Sequence, residues 1–564
     1  MNILLCNIAL RQRPGDFPPV ACTSLCNVLI REGYNPIFYD IDAGRPSLED
    51  LNRYFEKERY DIVGISAVVS TGYEYTKKLV SIIKKKSPET QIVLGGNLAA
   101  AYEMLLRKCQ IDVCVIGEGE KSLLNLVKYY EKYRSLEPKN GELHRIKGIA
   151  FLEEGRTCQF TGPEILMRSE EIGDVDYELL DRFSNINQYI VDPMTISDFA
   201  DDPRTYEKHR QGKRMATVLT GRGCVNRCTF CHRWIKGYRV FSVQRVIATM
   251  KGLIDKYNVG FFCFSDECYG ENKKWLDDFI ESVKPLNILF QIGGARVSII
   301  KQDHSLIRKL KEVGLTAINY GMESGSDRIL KVMEKNANSG ENLKVAQLCA
   351  EAGVFTTIQL VVGMPGENDE TINETIDFVK KATGDLPYLP KLSVNYLQAL
   401  PGTPSYEYLQ NQGLVNKSVE GEEEYLLRAS DINAAGFGHY INVSEEPLSK
   451  AMLWKKKIMI LSTINWLKKH GWAFPDSTAA RRCEGEVTTV PLIVKVKSFI
   501  TKSIIIYRII DLFGYLFWKV VQLGNLYSLY GFKKTFIILF GFEDEDDRSR
   551  FRIQSISLRK IVEN

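Results

Sequence analysis

The sequence is poor in the features that mark several functional classes. Lysine and arginine outnumber aspartate and glutamate by only 74 to 70, a formal charge of +4 over 564 residues. No basic run is interleaved with aromatics in the way a nucleic-acid groove requires, so no nucleic-acid partner is expected. Met1 is followed at once by an apolar, strand-like run over 2–10, without a basic leader, a long apolar core or a small-residue cleavage site; export is not expected. Histidine is scarce: there are six, and all of them (His144, His209, His232, His304, His439, His470) lie beyond residue 134. Cysteine is not scarce, but thirteen is an odd number, and the cysteines are scattered through apolar stretches such as 111–116. That is not the disulfide framework of a small secreted domain, and a reducing, cytoplasmic setting is the expectation.

What is present is a globular composition, 45% hydrophobic and 26% charged, in a chain long enough for two or three domains with sizeable cores. Over residues 1–134, short apolar runs at 3–8, 36–39, 62–67, 92–94 and 113–116 alternate with amphipathic helical patterns. Regular alternation of this kind predicts an α/β, doubly wound (Rossmann-like) parallel sheet with helices on both faces. Ligands of such sheets sit beyond the carboxyl ends of the strands. Here those ends carry small or polar residues: Ser66, Ser70 and Thr71, then Gly95 and Gly96, then Gly117, Glu118 and Gly119. Residues 135–214 have a looser character and read as a linker. Over 215–415 the alternation resumes with strands expected at 216–219, 261–264, 288–292, 317–320, 357–362 and 392–397, which predicts a partial (β/α)6 barrel with its chemistry on the C-terminal rim. Residues 416–564 read as a helical C-terminal region.

Immediately after the first strand of the second domain stands Gly221-Arg222-Gly223-Cys224-Val225-Asn226-Arg227-Cys228-Thr229-Phe230-Cys231. Three cysteines spaced by three and then two residues can place three thiolates on three irons of a cubane. The fourth iron is then left without a protein ligand, open to a chelating substrate. A zinc site is the competing reading, but a structural zinc is closed by four ligands, and the convenient fourth, His232, directly adjoins Cys231. Ordinary burial is the other, and it is the expectation for Cys109, Cys114 and Cys349.

This spacing, with an aromatic before the last cysteine, resembles the signature of the radical S-adenosylmethionine superfamily. Further strand-end motifs resemble that family in the same order: Phe264-Ser265-Asp266-Glu267, Gly294-Ala295-Arg296-Val297, Gly321-Met322-Glu323-Ser324-Gly325-Ser326 and Val362-Gly363-Met364-Pro365-Gly366-Glu367. The resemblance implies a 4Fe-4S cluster on Cys224, Cys228 and Cys231 that splits S-adenosyl-L-methionine reductively to a 5′-deoxyadenosyl radical. It implies a cofactor site drawn from Phe230, Asp266, Glu267, Arg296, Glu323, Ser324, Gly363 and Pro365. It also implies a low-potential electron donor such as flavodoxin or ferredoxin. Arg296 suits a carboxylate, because a planar guanidinium can pair it. Read singly, each of these residues has a plain structural alternative: a salt bridge, a strand-end cap or a tight turn.

A doubly wound domain preceding such a barrel resembles the cobalamin-binding class of the superfamily, over about residues 1–410. The resemblance implies cobalamin on Ser66, Ser70, Thr71, Gly95, Gly96, Gly117, Glu118 and Gly119, with no histidine of that domain beneath the cobalt. Methylation of an unactivated carbon of a small or apolar substrate is the natural outcome of that pairing. A ring-forming or other carbon-skeleton reaction, and a non-catalytic iron-sulfur and cobalamin sensor, stay open. Cys263 and Cys268 flank the acidic element and can either donate hydrogen or simply pack. In the tail, between 491 and 535, seven basic residues (Lys495, Lys497, Lys502, Arg508, Lys519, Lys533, Lys534) face one acidic residue, Asp511. Its longest uncharged run, 520–532, falls short of the ~20 residues that span a bilayer. Lys497, Arg508 and Lys519 recur every eleven residues, about three helical turns. Such a helix either packs on the barrel or lies on a membrane surface, where it would present a lipid-like substrate.

Overall fold

The structure, a computed structural model, describes residues 1–9, 14–153, 156–232, 237–269, 273–295, 297, 303–386, 391–430 and 439–470. Strands β1 (Ile3–Asn7), β2 (Ile37–Asp40), β3 (Ile62–Ser66), β4 (Gln91–Gly95) and β5 (Val113–Val115) are all parallel, in the order β2-β1-β3-β4-β5. The runs are almost wholly apolar because helices cover both faces. The strand order reverses between β1 and β3, so the ligand crevice of this sheet lies beyond Asn7 and Ser66.

The segment read as a linker differs from expectation. It supplies β6 (Ile149–Leu152), which adds antiparallel to β5, and β7 (Cys158–Phe160), which adds antiparallel to β6, and together they extend the sheet to seven strands. Runs of four and three residues are too short for periodicity to reveal them. The acidic residues downstream serve as helix caps: Asp176 accepts from the amide of Leu179, Asp192 from Met194 and Asp202 from Arg204. Tyr177 and Tyr189 there are buried in the core with Leu180, and Phe183 packs half-buried against it.

The second sheet contains β8 (Arg214–Val218), β11 (Val259–Tyr269), β12 (Leu289–Ala295), β13 (Leu315–Glu323), β14 (Phe355–Val362) and β15 (Lys391–Tyr396), six parallel strands in chain order. A two-residue ladder, β9 (Gly221–Arg222) with β10 (Arg239–Val240), closes the base of the cysteine loop. The outer face of the sheet is held by aromatic packing: Phe264, Phe279 and Phe290 meet edge to face, and Trp275 stacks on Phe279. At the foot of the inner face, Met215, Phe261 and Leu289 pack on Phe199.

The described part of the C-terminal region contains two helices, Val419–Ala429 and Leu448–His470. The helix Val419–Ala429 braces the first domain, with Tyr73 donating to Glu423 at 2.8 Å and Lys108 paired to Glu420 at 2.9 Å. The helix Leu448–His470 lies on Asp369–Thr383, anchored by Trp454, whose indole N–H donates to Asp369 at 3.0 Å, and by Trp466, which donates to the carbonyl of Leu386 at 2.9 Å. Among the described residues no helix is long and apolar enough to cross a membrane. The basic, apolar tail lies outside the described residues. Trp454 is 1% exposed, so Trp454→Ala should lower the unfolding free energy by about 3–5 kcal/mol, as read by denaturant titration of the full chain.

Candidate functional site

The cysteine loop begins where β8 ends, and its first turn is tied down by one buried carboxylate. Asp266, on β11, accepts from the amides of Thr220 (2.8 Å) and Gly221 (3.0 Å) and from the Thr220 hydroxyl (2.8 Å). Burial pushes this carboxyl up to about 7 against those hydrogen bonds. Further along, the Thr229 amide donates to the carbonyl of Met333 at 2.9 Å, and Ser405 donates to Thr229 from both its amide and its hydroxyl. Both arms of the loop are therefore fixed to the barrel.

The three thiols gather within electrostatic reach of one another. Cys228 is buried, Cys224 half-buried and Cys231 at the exposed edge, while Phe230 packs against the main core. The surrounding protein pushes Cys231 up to about 12, and the charges of Cys228, Glu323 and Cys224 add to that, while Lys335 opposes it. Cys228 is raised in the same way. Three thiolates within reach of one another's charge would need a compensating cation. The donor set and its charge therefore fit an iron-sulfur cluster, whose iron supplies positive charge and drives thiol deprotonation. Glu323 sits beside the thiols at positive φ (62°), with Lys335 2.9 Å away.

The other predicted barrel residues divide in their roles. Glu267 is exposed near the end of β11, at the rim. Ser324 is 1% exposed and committed inward: its hydroxyl lies 3.2 Å from that of Thr375 and accepts from the Ser326 amide at 3.1 Å. Pro365 is buried. Gly363 has φ of 87°, and a Cβ there would meet the ring of Tyr440, which closes over it and donates to its carbonyl at 3.2 Å. Glu367 accepts from the amides of Gly363 and Met364. Arg296 lies outside the described residues. Cys268, Cys109, Cys114 and Cys349 are buried packing residues.

In the first domain, Ser66 ends β3, and the Ser70 hydroxyl, in a turn just beyond it, is buried with no hydrogen-bond partner. Thr71 is half-buried beside it. A Cβ at Gly96 (φ 90°) would collide with the Ala67 carbonyl, so only glycine permits that close approach of β3 and β4 ends. Gly95 and Gly117 border open space. An orphaned hydroxyl beside open glycine positions fits a large ligand such as cobalamin at this edge. Gly119 precedes the helix Glu120–Tyr133.

Glu118 has a different engagement from the one its motif implied. Its carboxylate is grasped by both terminal nitrogens of Arg239, accepts from the Met167 amide at 3.1 Å, and lies 3.5 Å from Arg222. Burial alone would raise its pKa, yet Arg239 and Arg222 outweigh it and hold the group below the usual carboxylate range. Glu120, beside it, pairs with Arg222 at 2.7 Å and accepts from Ser24 at 2.7 Å. Arg222 is the second residue of the cysteine loop and Arg239 closes that loop. The strand-end edge of the first domain is thus bolted to the base of the loop. Sequence reasoning missed Arg239, Lys335 and Tyr440; Arg222 and Glu120 stood inside local motifs, the cysteine loop and the strand-end run 117–120, without a contact assigned to either.

Comparisons with known proteins agree with this architecture. Residues 218–379 match the model of the Radical SAM superfamily and residues 7–127 that of the B12 binding domain. The chain is 29% identical over 407 residues to an anaerobic magnesium-protoporphyrin IX monomethyl ester cyclase of Cereibacter sphaeroides, covering 71% of this chain and 61% of that protein. It is 27% identical to an uncharacterized methyltransferase of Pyrococcus horikoshii, covering 69% of this chain and 78% of the relative. Among solved structures it is similar to the cobalamin-dependent S-adenosylmethionine radical enzyme OxsB with aqua-cobalamin and S-adenosylmethionine bound (TM-score 0.61, 18% identity, 97% of this chain and 75% of that one). It is also similar to the radical S-adenosylmethionine methyltransferase TsrM of Kitasatospora setae with cobalamin and a [4Fe-4S] cluster bound (TM-score 0.56, 18% identity, 74% and 76%). The chain thus carries both a Radical SAM superfamily domain and a B12 binding domain. Its domains imply a 4Fe-4S cluster, S-adenosylmethionine and cobalamin as cofactors.

Two outcomes test these roles. Arg239→Ala strips Glu118 of its main partner and leaves a buried charge, so unfolding free energy should fall by about 3–5 kcal/mol in denaturant titration. Glu367 is pushed up to about 7 by burial, against the two amides it accepts from. The folded chain therefore binds a proton that the unfolded chain releases near the ordinary Glu range, and stability falls as pH rises from there to about 7. Glu367→Gln should shrink the difference in unfolding free energy between about pH 5 and about pH 8 by about 2–3 kcal/mol.

Proposed function

We propose that this chain is an enzyme of the cytoplasm that cleaves S-adenosylmethionine reductively and methylates an unactivated carbon of a small organic substrate. One observation carries the reading: Arg222 and Arg239, which bracket the cysteine loop, are ion-paired to Glu118 and Glu120 at the ligand edge of the cobalamin-binding domain. A radical source and a methyl donor must act on one substrate, and this contact sets their binding edges side by side. When bound, the cluster would deliver one electron to the sulfonium of S-adenosylmethionine, and cobalamin would carry the methyl group. The chain's own residues do the rest. Cys224, Cys228 and Cys231 would hold three irons; Glu267 stands at the rim; Tyr440 and Glu367 fix the buried backbone of Gly363 and Met364. A low-potential donor such as flavodoxin or ferredoxin would supply the electron.

A ring-forming reaction is the second reading, favoured by the relative named as a cyclase. The chain spans 61% of that relative's length. The test is anaerobic incubation of the full chain with cobalamin, S-adenosylmethionine and a strong reductant. Formation of 5′-deoxyadenosine supports radical chemistry and rules out a non-catalytic sensor. Transfer of a labelled methyl group to substrate separates methylation from cyclisation. Cys228→Ala removes a cluster ligand and should reduce 5′-deoxyadenosine to background while cobalamin content stays at the wild-type level; undiminished 5′-deoxyadenosine from that variant would refute the assignment.

A further inference from the structure

The inner face of the six-stranded sheet has a lining that the cluster and cofactor sites leave unexplained. A parallel barrel ordinarily fills its interior with layers of Val, Ile and Leu. At its foot this one is packed in that apolar way, with Phe199, Met215, Phe261 and Leu289. Above that plug the inward row changes character. Cys263 and Gln291 stand in register on neighbouring strands, and the inward positions beyond and beside them include Ser265, Asn319, Gln359 and Asn395. Their chain neighbours Phe264, Ile318, Leu360 and Val394 are buried in the core beneath the helices, and strand alternation then points these six to the other side. Local contacts agree: Cys263 Sγ lies 3.1 Å from Ser265 Oγ and accepts from Gln291 Nε2 at 3.2 Å. Gln359 and Asn395 are exposed although both sit inside strands, so this face borders a cavity.

The cavity's hydrogen-bonding is unbalanced. Gln291 is 6% exposed, its amide nitrogen is engaged by Cys263, and its carbonyl oxygen has no partner. The Asn319 side-chain oxygen is likewise buried with no partner. Buried acceptors left unpaired are costly, and a ligand that donates to them removes that cost. None of the six inward residues is charged; Glu267 stands at the rim, and Asp16 and Asp198 both act electrostatically on Cys263, with Asp198 paired to Lys391 at 2.6 Å. Such surroundings disfavour an anion, and an apolar ligand would leave both acceptors unsatisfied.

We propose that this lumen is the substrate pocket and that the substrate is a polyhydroxylated, non-anionic small molecule whose O–H groups donate to Gln291 and Asn319. The inference rests on the function proposed above and names its substrate class. It is tested on the full chain, purified anaerobically with cluster and cobalamin, by saturation-transfer NMR with four probes: methyl glucoside, glucosamine, glucuronate and octanol. Methyl glucoside and glucosamine should bind, and Gln291→Leu should weaken them by at least about tenfold. Asn319→Leu gives the same readout if the first variant does not fold, and cluster and cobalamin content report folding in both. Preferred binding of glucuronate or octanol, binding of none of the four, or equal binding by the leucine variants would overturn the proposal. Wild-type chain that binds the sugars but forms no 5′-deoxyadenosine would refute the enzymatic reading and leave the pocket standing. The reverse result would refute the pocket alone.

Discussion

The arrangement of this protein depends on a buried ionic junction. Glu118 and Glu120 lie at the start of a helix in the cobalamin-binding domain, and Arg222 and Arg239 lie at the two ends of the cysteine loop. All four side chains are mostly shielded from water, so each charge depends on its partners for the solvation it has lost. A fork of guanidinium donors against a carboxylate also has a strict geometry. The junction therefore fixes orientation as well as attachment, which two flat domain surfaces alone would not do. Met167 and Ser24 complete it by satisfying the remaining lone pairs.

Around that junction, several polar residues that first suggest ligand contacts turn out to hold the site in shape. Asp266 spends its oxygens on the turn that launches the loop, Ser324 is committed to Thr375 and Ser326, and Glu118 is taken by the arginines. Their motifs mark the rim of the barrel correctly, because a sharp turn at a strand end needs buried acceptors to pair its amides. A residue can thus belong to a cofactor site by supporting the backbone that makes the contact. Glu267 is exposed at the rim and Thr71 is half-buried at the edge of the first sheet.

Much of the fold was legible in the sequence because its strands are buried on both faces and read as apolar runs between helical patterns; all eleven expected strands are present. The cysteine spacing was legible because it is local. What was not legible is non-local. Arg239 meets Glu118 across 121 positions and Tyr440 covers Gly363 across 77, and nothing in either neighbourhood announces the partner. The strands β6 and β7 were missed for a different reason, their brevity. The inward polarity of the barrel was visible only once alternation could be anchored to the observed core, since Gln291 and Asn319 read simply as interruptions in apolar runs.

On the proposed function, the ionic junction holds two cofactor edges together in one site. The most direct measurement is the electron paramagnetic resonance spectrum of the anaerobic full chain with its cluster reduced and its cobalamin in the cob(II)alamin state. Cobalt lines broadened by magnetic interaction with the cluster are expected, with a weaker interaction once Arg239 is replaced by alanine. A spectrum equal to the sum of two isolated centres, the same in both proteins, would contradict that arrangement.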